Sequence, residues 1–312
     1  MTPKSTKKQH SAKNTLQNRP AANFKRADGG GKGRGGIKRN SAKNTDNHMG
    51  GHSGNDSGHK APPRPPQNGY FIWGRHAVLA ALANPDRRIA QIYCAADNHD
   101  MLKDALNQLE NSRRNELPQP QTIDRARLDK VGNAGEKAVH QGIAAAVWSL
   151  DPPHLDDFLA TLGDGNTRLL LLDQLSDPRN VGAIMRSARA FNVAGIITTH
   201  RNAAEENGVL ARTASGALDH VPLVRVVNLA RAIERLKDAG IFVAGLAGDA
   251  AADVAVLADH PRLAIMLGAE GSGLRRLSRD HCDLLVGIKI YQTADSLNVS
   301  NAAAIALYAA KN

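Results

Sequence analysis

From Tyr70 onward the chain alternates short apolar runs with stretches in which apolar residues recur every three or four positions. The short runs are RIAQIYCA (Arg88–Ala95), Ile143–Trp148, NTRLLLLD (Asn166–Asp173), GIITT (Gly195–Thr199), VPLVRV (Val221–Val226), IFVAGLA (Ile241–Ala247), LAIMLG (Leu263–Gly268) and LLVGIKI (Leu284–Ile290). Each predicts a strand. Helical rhythm runs over Phe71–Asn84 and Met101–Leu109, and over Val181, Ile184, Met185, Ala188 and Phe191. It returns in LARAIERLKDAG, and again from Asp295/Ser296 through Val299, Ala303 and Ala306. Asp177 suits an N-cap with Pro178 at the first helical position, Asn228 caps the next helix, and Asn192 and Gly240 suit left-handed helix ends. Strands alternating with helices predict an α/β protein built on a parallel sheet. The four leucines of NTRLLLLD predict a strand buried on both faces.

Composition divides the chain. Residues 1–67 hold 14 Lys and Arg against 3 Asp, whereas the remainder holds 26 basic and 27 acidic residues. The whole basic excess therefore lies in a low-complexity tail of Lys, Asn, Gly and Ser, which is expected to be disordered and suits a polyanion such as RNA. Its GGGKGRGG run (Gly29–Gly36) lacks the spacing of a phosphate loop. APPRPPQ (Ala61–Gln67) is a stiff spacer. A small α/β unit of αβαβ pattern follows over 68–150, then a linker over 151–165 containing DPPHLDDF, and a larger α/β domain over 166–312.

Two cysteines, Cys94 and Cys282, are too few for a disulfide framework and point to a reducing, cytoplasmic compartment. Both sit beside apolar residues and read as small buried hydrophobes. No run of 18 apolar residues predicts a membrane span. No His or Cys cluster suggests a metal. His140 and Gln141 precede a strand; a hydrogen-bonded structural role is expected for the histidine.

The chemistry-bearing residues gather late in the chain. Glu270 sits among small residues in AEGSG (Ala269–Gly273), and Ser296 and Asn298 lie where a helix begins. Asn180 and Arg186 occupy the first turns of a helix that follows a strand, a position that favours anions. Such strand and helix ends are where α/β sheets bind ligands. A nicotinamide dehydrogenase would need Gly-x-Gly-x-x-Gly after its first strand, and LLLLDQLSDPRN has no glycine there. A serine hydrolase would need Gly-x-Ser-x-Gly, which TASGAL around Ser215 does not supply.

DPRNVGAIMRSARAF, LGAEGSGL and SLNVS, in that order, resemble the three motifs of the SpoU branch of the knotted RNA methyltransferases, the TrmH-like enzymes. WGRHAVLAAL and VHQGIAA resemble the substrate-binding domain of the RlmB-type members, which act on 23S ribosomal RNA. The resemblance implies methyl transfer from S-adenosylmethionine to a ribose 2′-hydroxyl in RNA, by a homodimer with its site at the subunit interface. It implies a deep trefoil knot at the carboxy terminus and an L30e-like small domain ahead of it. Asn180 and Arg186 match the first motif, Glu270 the second, and Ser296 and Asn298 the third; these are the expected catalytic residues. Gly268, Ile288 and Leu297 fall where the family holds the cofactor. The sequence departs from the family at Lys289, Ile290 and Gln292 of the cofactor loop, and at Asn192 and Asn301. A transfer-RNA methyltransferase, or an RNA-binding ribosome-assembly factor that has lost activity, remain the alternatives.

Overall fold

The computed structural model describes residues 63–131, 139–291 and 296–311. The tail up to residue 62, Gln292 and Asp295 lie outside these residues.

The first sheet is built from β1 (Gly69–Trp73), β2 (Ile89–Cys94), β3 (Gln121–Thr122) and β4 (Ile143–Trp148), in the order β1-β4-β2-β3. β4 pairs antiparallel with β1 and β2, and β3 runs parallel to β2 at the edge. α1 (Arg75–Ala83) joins β1 to β2; α2 (His99–Asn107) and α3 (Asn111–Glu116) lead to β3, and α4 (Arg125–Leu128) follows it. The sheet corrects the αβαβ expectation and the helix expected from Phe71. Phe71 and Trp73 turn to one core while Ile72 enters another. That period of two makes 69–73 a strand. Gly74, at φ 91°, breaks it and lets α1 begin at Arg75.

After α5 (Leu155–Thr161) comes a seven-stranded sheet. Its strands are β5 (Thr167–Asp173), β6 (Gly195–Thr199), β7 (Leu223–Val226), β8 (Phe242–Leu246), β9 (Ala252–Asp253), β10 (Arg262–Gly268) and β11 (Leu284–Gly287). The order is β7-β6-β5-β10-β8-β11-β9 and every pairing is parallel. The helices are α6 (Pro178–Ala190), α7 (Gly208–Ala214), α8 (Leu229–Asp238), α9 (Arg276–His281) and α10 (Val299–Ala309). In β5 the four leucines divide by face: Leu170 and Leu172 join one core, Leu169 and Leu171 the other. Both faces are covered by helices, as a parallel sheet requires.

α6 forms as its sequence dictates. Asp177 accepts from the Arg179 backbone N–H at 2.8 Å, Pro178 occupies the first turn, and Asn192 takes φ 53° beyond the end. α7 was not legible in the sequence, because GVLARTA carries too few large apolar residues to show a rhythm. It forms under tertiary packing, with Leu210, Ala211 and Ala214 buried. Two boundaries differ from expectation. The strand expected over Leu284–Ile290 stops at Gly287, and the last helix begins at Val299 with Asn298, rather than Asp295 or Ser296, at its N-cap.

Candidate functional site

β5 and β10 lie side by side at the centre of the large sheet. From the end of β5 the chain passes through α6 to β6 on one side; from the end of β10 it passes through α9 to β11 on the other. A crevice opens where neighbouring strands send their connections apart, and ligands of such sheets bind there.

Three expected residues meet in that crevice. Asn180, in the first turn of α6, donates from Nδ2 to Glu270 Oε1 at 3.0 Å. Asn298 Nδ2 reaches the same Oε1 at 2.7 Å and Asn180 Oδ1 at 3.0 Å. The Asn298 Oδ1 meanwhile accepts from the Ser300 backbone N–H at 2.9 Å and caps α10. One carboxylate thus joins the loop after β10 to the starts of two helices.

Glu270 is held by its loop. Gly273 N–H donates to Ala269 O at 2.9 Å, and Gly271 and Gly273 take φ 82° and 64°. A Cβ on Gly268 would lie 2.1 Å from the Gly273 carbonyl carbon, so only glycine lets the loop fold back on β10. Past the turn, Leu274 is buried and Arg275 grips Asp173, the fully buried last residue of β5. Arg275 Nε lies 2.7 Å from Asp173 Oδ1, and its backbone N–H 3.1 Å from Oδ2. The hairpin that carries Glu270 is therefore clamped to the strand that leads to Asn180.

Beside this network lies a cavity of about 590 Å³ at the carboxyl ends of β8 and β10 and just past β11. Gly268, Glu270, Ile288, Ser296, Leu297 and Asn298 all line it. The wall is mostly apolar or backbone, with polar atoms at one end, as organic-cofactor sites are, and the volume is within the ~300–1,000 Å³ that such sites span. Lys289, in the departing loop, pairs with Asp253 at 3.1 Å. The Asp253 carboxyl is held below its ordinary pKa by the Ala255 backbone amide and by Lys289. The altered loop thus gains an anchor on β9.

Arg186 stands apart. It is exposed on α6 and has no hydrogen-bond or ion-pair partner among the described residues. Six residues of helix rotate it by about 240° from Asn180. Glu270 bonds the two asparagines and leaves Arg186 out of the network. Ser296 lines the cavity with no side-chain hydrogen bond to a described residue. Arg275 and Asp173 were missed in the sequence, where a strand-end aspartate and a loop arginine carry no signal of pairing. His140 has the structural role expected of it: Nε2 lies 3.1 Å from Asp129 Oδ1, and Nδ1 accepts from Gly142 N–H. Among the described residues no group of three or more His, Cys, Asp or Glu side chains could hold a metal ion, and no helix is long and apolar enough to cross a membrane.

Residues 167–308 match the SpoU rRNA methylase family, and residues 71–153 match the RNA 2′-O ribose methyltransferase substrate-binding family. A 23S rRNA (guanosine-2′-O-)-methyltransferase, RlmB, of Vibrio vulnificus is 39% identical over 244 residues, 77% of this chain and 95% of that protein. The chain belongs to the SpoU rRNA methylase family. It is an RNA 2′-O-ribose methyltransferase. A Staphylococcus haemolyticus protein assigned to the TrmH family of tRNA/rRNA methyltransferases is 35% identical over 239 residues, 76% of this chain and 93% of that protein. The SpoU methyltransferase AviRb of Streptomyces viridochromogenes shares the fold, with a TM-score of 0.64 at 21% identity over 78% of this chain and 89% of that one. The AdoMet-bound rRNA methyltransferase of Sinorhizobium meliloti does so too, with a TM-score of 0.64 at 18% identity over 78% of this chain and 87% of that one. The residues around the cavity fit a ligand of that kind: a volume of the right class, glycine where the backbone must come close, and the Glu270 network beside it.

Proposed function

We propose that this SpoU-family chain methylates the ribose 2′-hydroxyl of a guanosine in 23S ribosomal RNA. The observation that carries the reading is the hydrogen-bonded triangle of Asn180, Glu270 and Asn298 at the mouth of the cavity. When bound, S-adenosylmethionine supplies an electrophilic methyl group on a sulfonium. Gly268, Ile288 and Leu297 would hold its adenosine by backbone and apolar contact. A ribose hydroxyl is a weak nucleophile at neutral pH, so the protein must hold the oxygen in line, and positioning alone supplies much of the rate. Glu270 keeps both asparagine amides fixed, and Asn298 with Ser296 would hold the ribose. The Arg186 guanidinium presents a planar fork of N–H donors and accepts nothing, which suits it to clamp the neighbouring phosphate and to stabilise developing alkoxide charge. The ribosomal assignment draws on the Vibrio relative's substrate and on the match of 71–153 to a substrate-binding module. The basic tail would add salt-sensitive affinity that carries no address.

The reading includes a homodimer, a trefoil knot, an L30e-like small domain and a cytoplasmic setting. Support for the dimer is the exposed apolar set Ile290, Tyr291, Leu297, Ile305 and Tyr308 beside the cavity and along α10; a second subunit would cover it and could bring a cation to the site. Support for the knot comes from β11. It is bonded to β8 on one side and β9 on the other, although β8 and β9 follow one another through residues 247–251. A Cβ on Gly287 would lie 3.2 Å from Ala247 O and 3.3 Å from Ala250 O, so that span crosses closely over the end of β11. The free thiols of Cys94 and Cys282 agree with a reducing compartment.

The test maps ribose methylation in RNA from cells lacking this protein. One guanosine of 23S rRNA should lose its mark and regain it when the purified protein and S-adenosylmethionine are added. Loss of a transfer-RNA mark would move the substrate, and no lost mark with no cofactor binding would favour an assembly factor. Arg186→Ala should abolish methylation while calorimetry finds cofactor binding intact.

A further inference from the structure

Arg87 lies in the turn between α1 and β2 and is completely buried. Its Nε donates to Asp219 Oδ1 at 2.7 Å and its Nη1 to Glu206 Oε1 at 2.5 Å. Asp219 and Glu206 both belong to the large α/β domain. From the small domain, Tyr70 OH donates to the same Glu206 oxygen at 2.5 Å, and Arg87 also donates to Trp148 O at 2.9 Å. The Leu150 backbone N–H, where the small domain ends, lies 3.4 Å from both Glu206 oxygens. A second buried arginine, Arg113, fixes the turn that carries Arg87: it donates to Leu82 O at 3.0 Å, capping α1, and to Arg87 O at 2.8 Å.

The surrounding junction is close-packed. A Cβ on Gly208, the first residue of α7, would fall 1.9 Å from the Trp73 ring and 2.3 Å from Phe71 O. Arg212 of α7 donates to Val139 O at 2.8 Å. Ile72 and Val78 share one apolar core with Leu210, Ala214 and Leu218.

A buried ion cluster is a poor source of stability, because desolvation offsets most of the attraction, and its best-attested use is to specify one arrangement over others. Two carboxylates here share one guanidinium, and burial raises the Asp219 pKa above the usual carboxylate range despite Arg87 beside it. Arg87 Nη2 is buried without a hydrogen-bond partner among the described residues. Such a cluster pairs its charges in this one register of the two domains, and a shift would part them.

We propose that Arg87, acting through Glu206 and Asp219, is a positioning residue that holds the substrate-binding domain in a single register against the methyl-donor cleft and so selects which ribose of a docked RNA reaches it. The proposal rests on the RNA-methylation reading above. A flexibly tethered domain would bring several neighbouring riboses within reach of the cleft; a locked one presents a single site.

The test compares the full-length wild type with Arg87→Met and Glu206→Gln. Calorimetry reads S-adenosylmethionine binding. Mapped methylation of ribosomal RNA extracted from cells lacking the protein reads kcat, KM and the modified position. Small-angle scattering reads the domain arrangement without RNA. Cofactor affinity should stay within about twofold, while for Arg87→Met the RNA KM rises about tenfold or more, or methyl marks spread to neighbouring riboses. Glu206→Gln keeps its shape and the Oε1 acceptor while losing the charge and the second acceptor, and should move the same readings by about threefold. If Arg87→Met does not fold, Glu206→Gln decides alone. A purely structural role would lower yield and Tm while leaving KM and position untouched. Variants that bind cofactor, methylate the same ribose with unchanged KM and scatter like wild type overturn the proposal. Wild type that methylates none of this RNA refutes the functional reading instead, and scattering then still decides whether Arg87 fixes the arrangement.

Discussion

Asn298 gives its two amide atoms to two different tasks: Nδ2 binds Glu270 at 2.7 Å, while Oδ1 caps α10 through the Ser300 backbone N–H at 2.9 Å. An amide places a donor and an acceptor on separate atoms of one short side chain, so the two tasks do not compete. Aspartate could cap the helix and could not donate to the carboxylate. Asn298→Asp should therefore keep the helix cap while setting a second carboxylate against Glu270, whereas Asn298→Ala costs about 1 kcal/mol for the lost cap. Both should lose methyl transfer by about a hundredfold, since a fixed group at the reacting centre is gone. Thermal melts beside single-turnover methylation separate the two tasks. An aspartate variant with near-normal turnover would show that the Glu270 contact is only structural.

Gly268 closes the cavity side of the same loop. A methyl group there would meet the Gly273 carbonyl carbon at 2.1 Å, a backbone atom that cannot rotate away. Gly268→Ala should open the hairpin, cost about 1–3 kcal/mol as overpacking does, and displace Glu270. The expected result is S-adenosylmethionine affinity lower by about tenfold or more in calorimetry. Retained affinity would place the donor elsewhere than against this loop.

Cys282 lies against Gly245 and packs on the core that holds Leu274, and its Sγ–H donates to Ser278 O at 3.2 Å. Burial raises its pKa to about 11. At pH 8 the thiolate fraction is then roughly one in a thousand, against about a quarter for an ordinary cysteine. Alkylation by iodoacetamide should be about a hundredfold slower than for a free thiol at pH 8, and should rise tenfold per pH unit up to about pH 10. Fast labelling at pH 8 would mean the site opens readily. The same measurement on Cys94, buried and raised by desolvation, should give the same direction.

Much of the large domain was legible because its signals are local. Asp177, Pro178 and Asn192 punctuate α6 by their own backbone preferences, and the leucines of β5 state burial on both faces. Asn180, Glu270 and Asn298 were legible as motif residues, and their meeting follows from strand and helix ends that the pattern located. What the sequence hides is pairing over distance. Arg87 looks like a surface residue in PDRRI, and nothing local says that Glu206 and Asp219 close over it. Phe71–Trp73 reads as helix until β4 supplies the pairing that makes it a strand. Asn298 as the cap of α10 also depends on a partner, since Asp295 and Ser296 are equally good caps by type.

The pairing of Asp173 with Arg275 is the sharpest test of how the crevice is held. Asp173 is fully buried, while the Arg275 side chain is half exposed, so the pair is unequal: the carboxylate depends on the arginine far more than the reverse. Removing Arg275 leaves a buried charge with only a backbone N–H at 3.1 Å. Losing one partner of a buried pair costs about 3–5 kcal/mol; the exposed rim of this one puts Arg275→Ala at the lower end, about 3 kcal/mol. Asp173→Asn retains an acceptor for Arg275 and should cost less. The double variant should recover part of the loss, because no uncompensated charge remains, giving a coupling of about 1–2 kcal/mol in a double-mutant cycle followed by urea unfolding. If the two single costs simply add, the clamp between β5 and the Glu270 hairpin contributes nothing of its own.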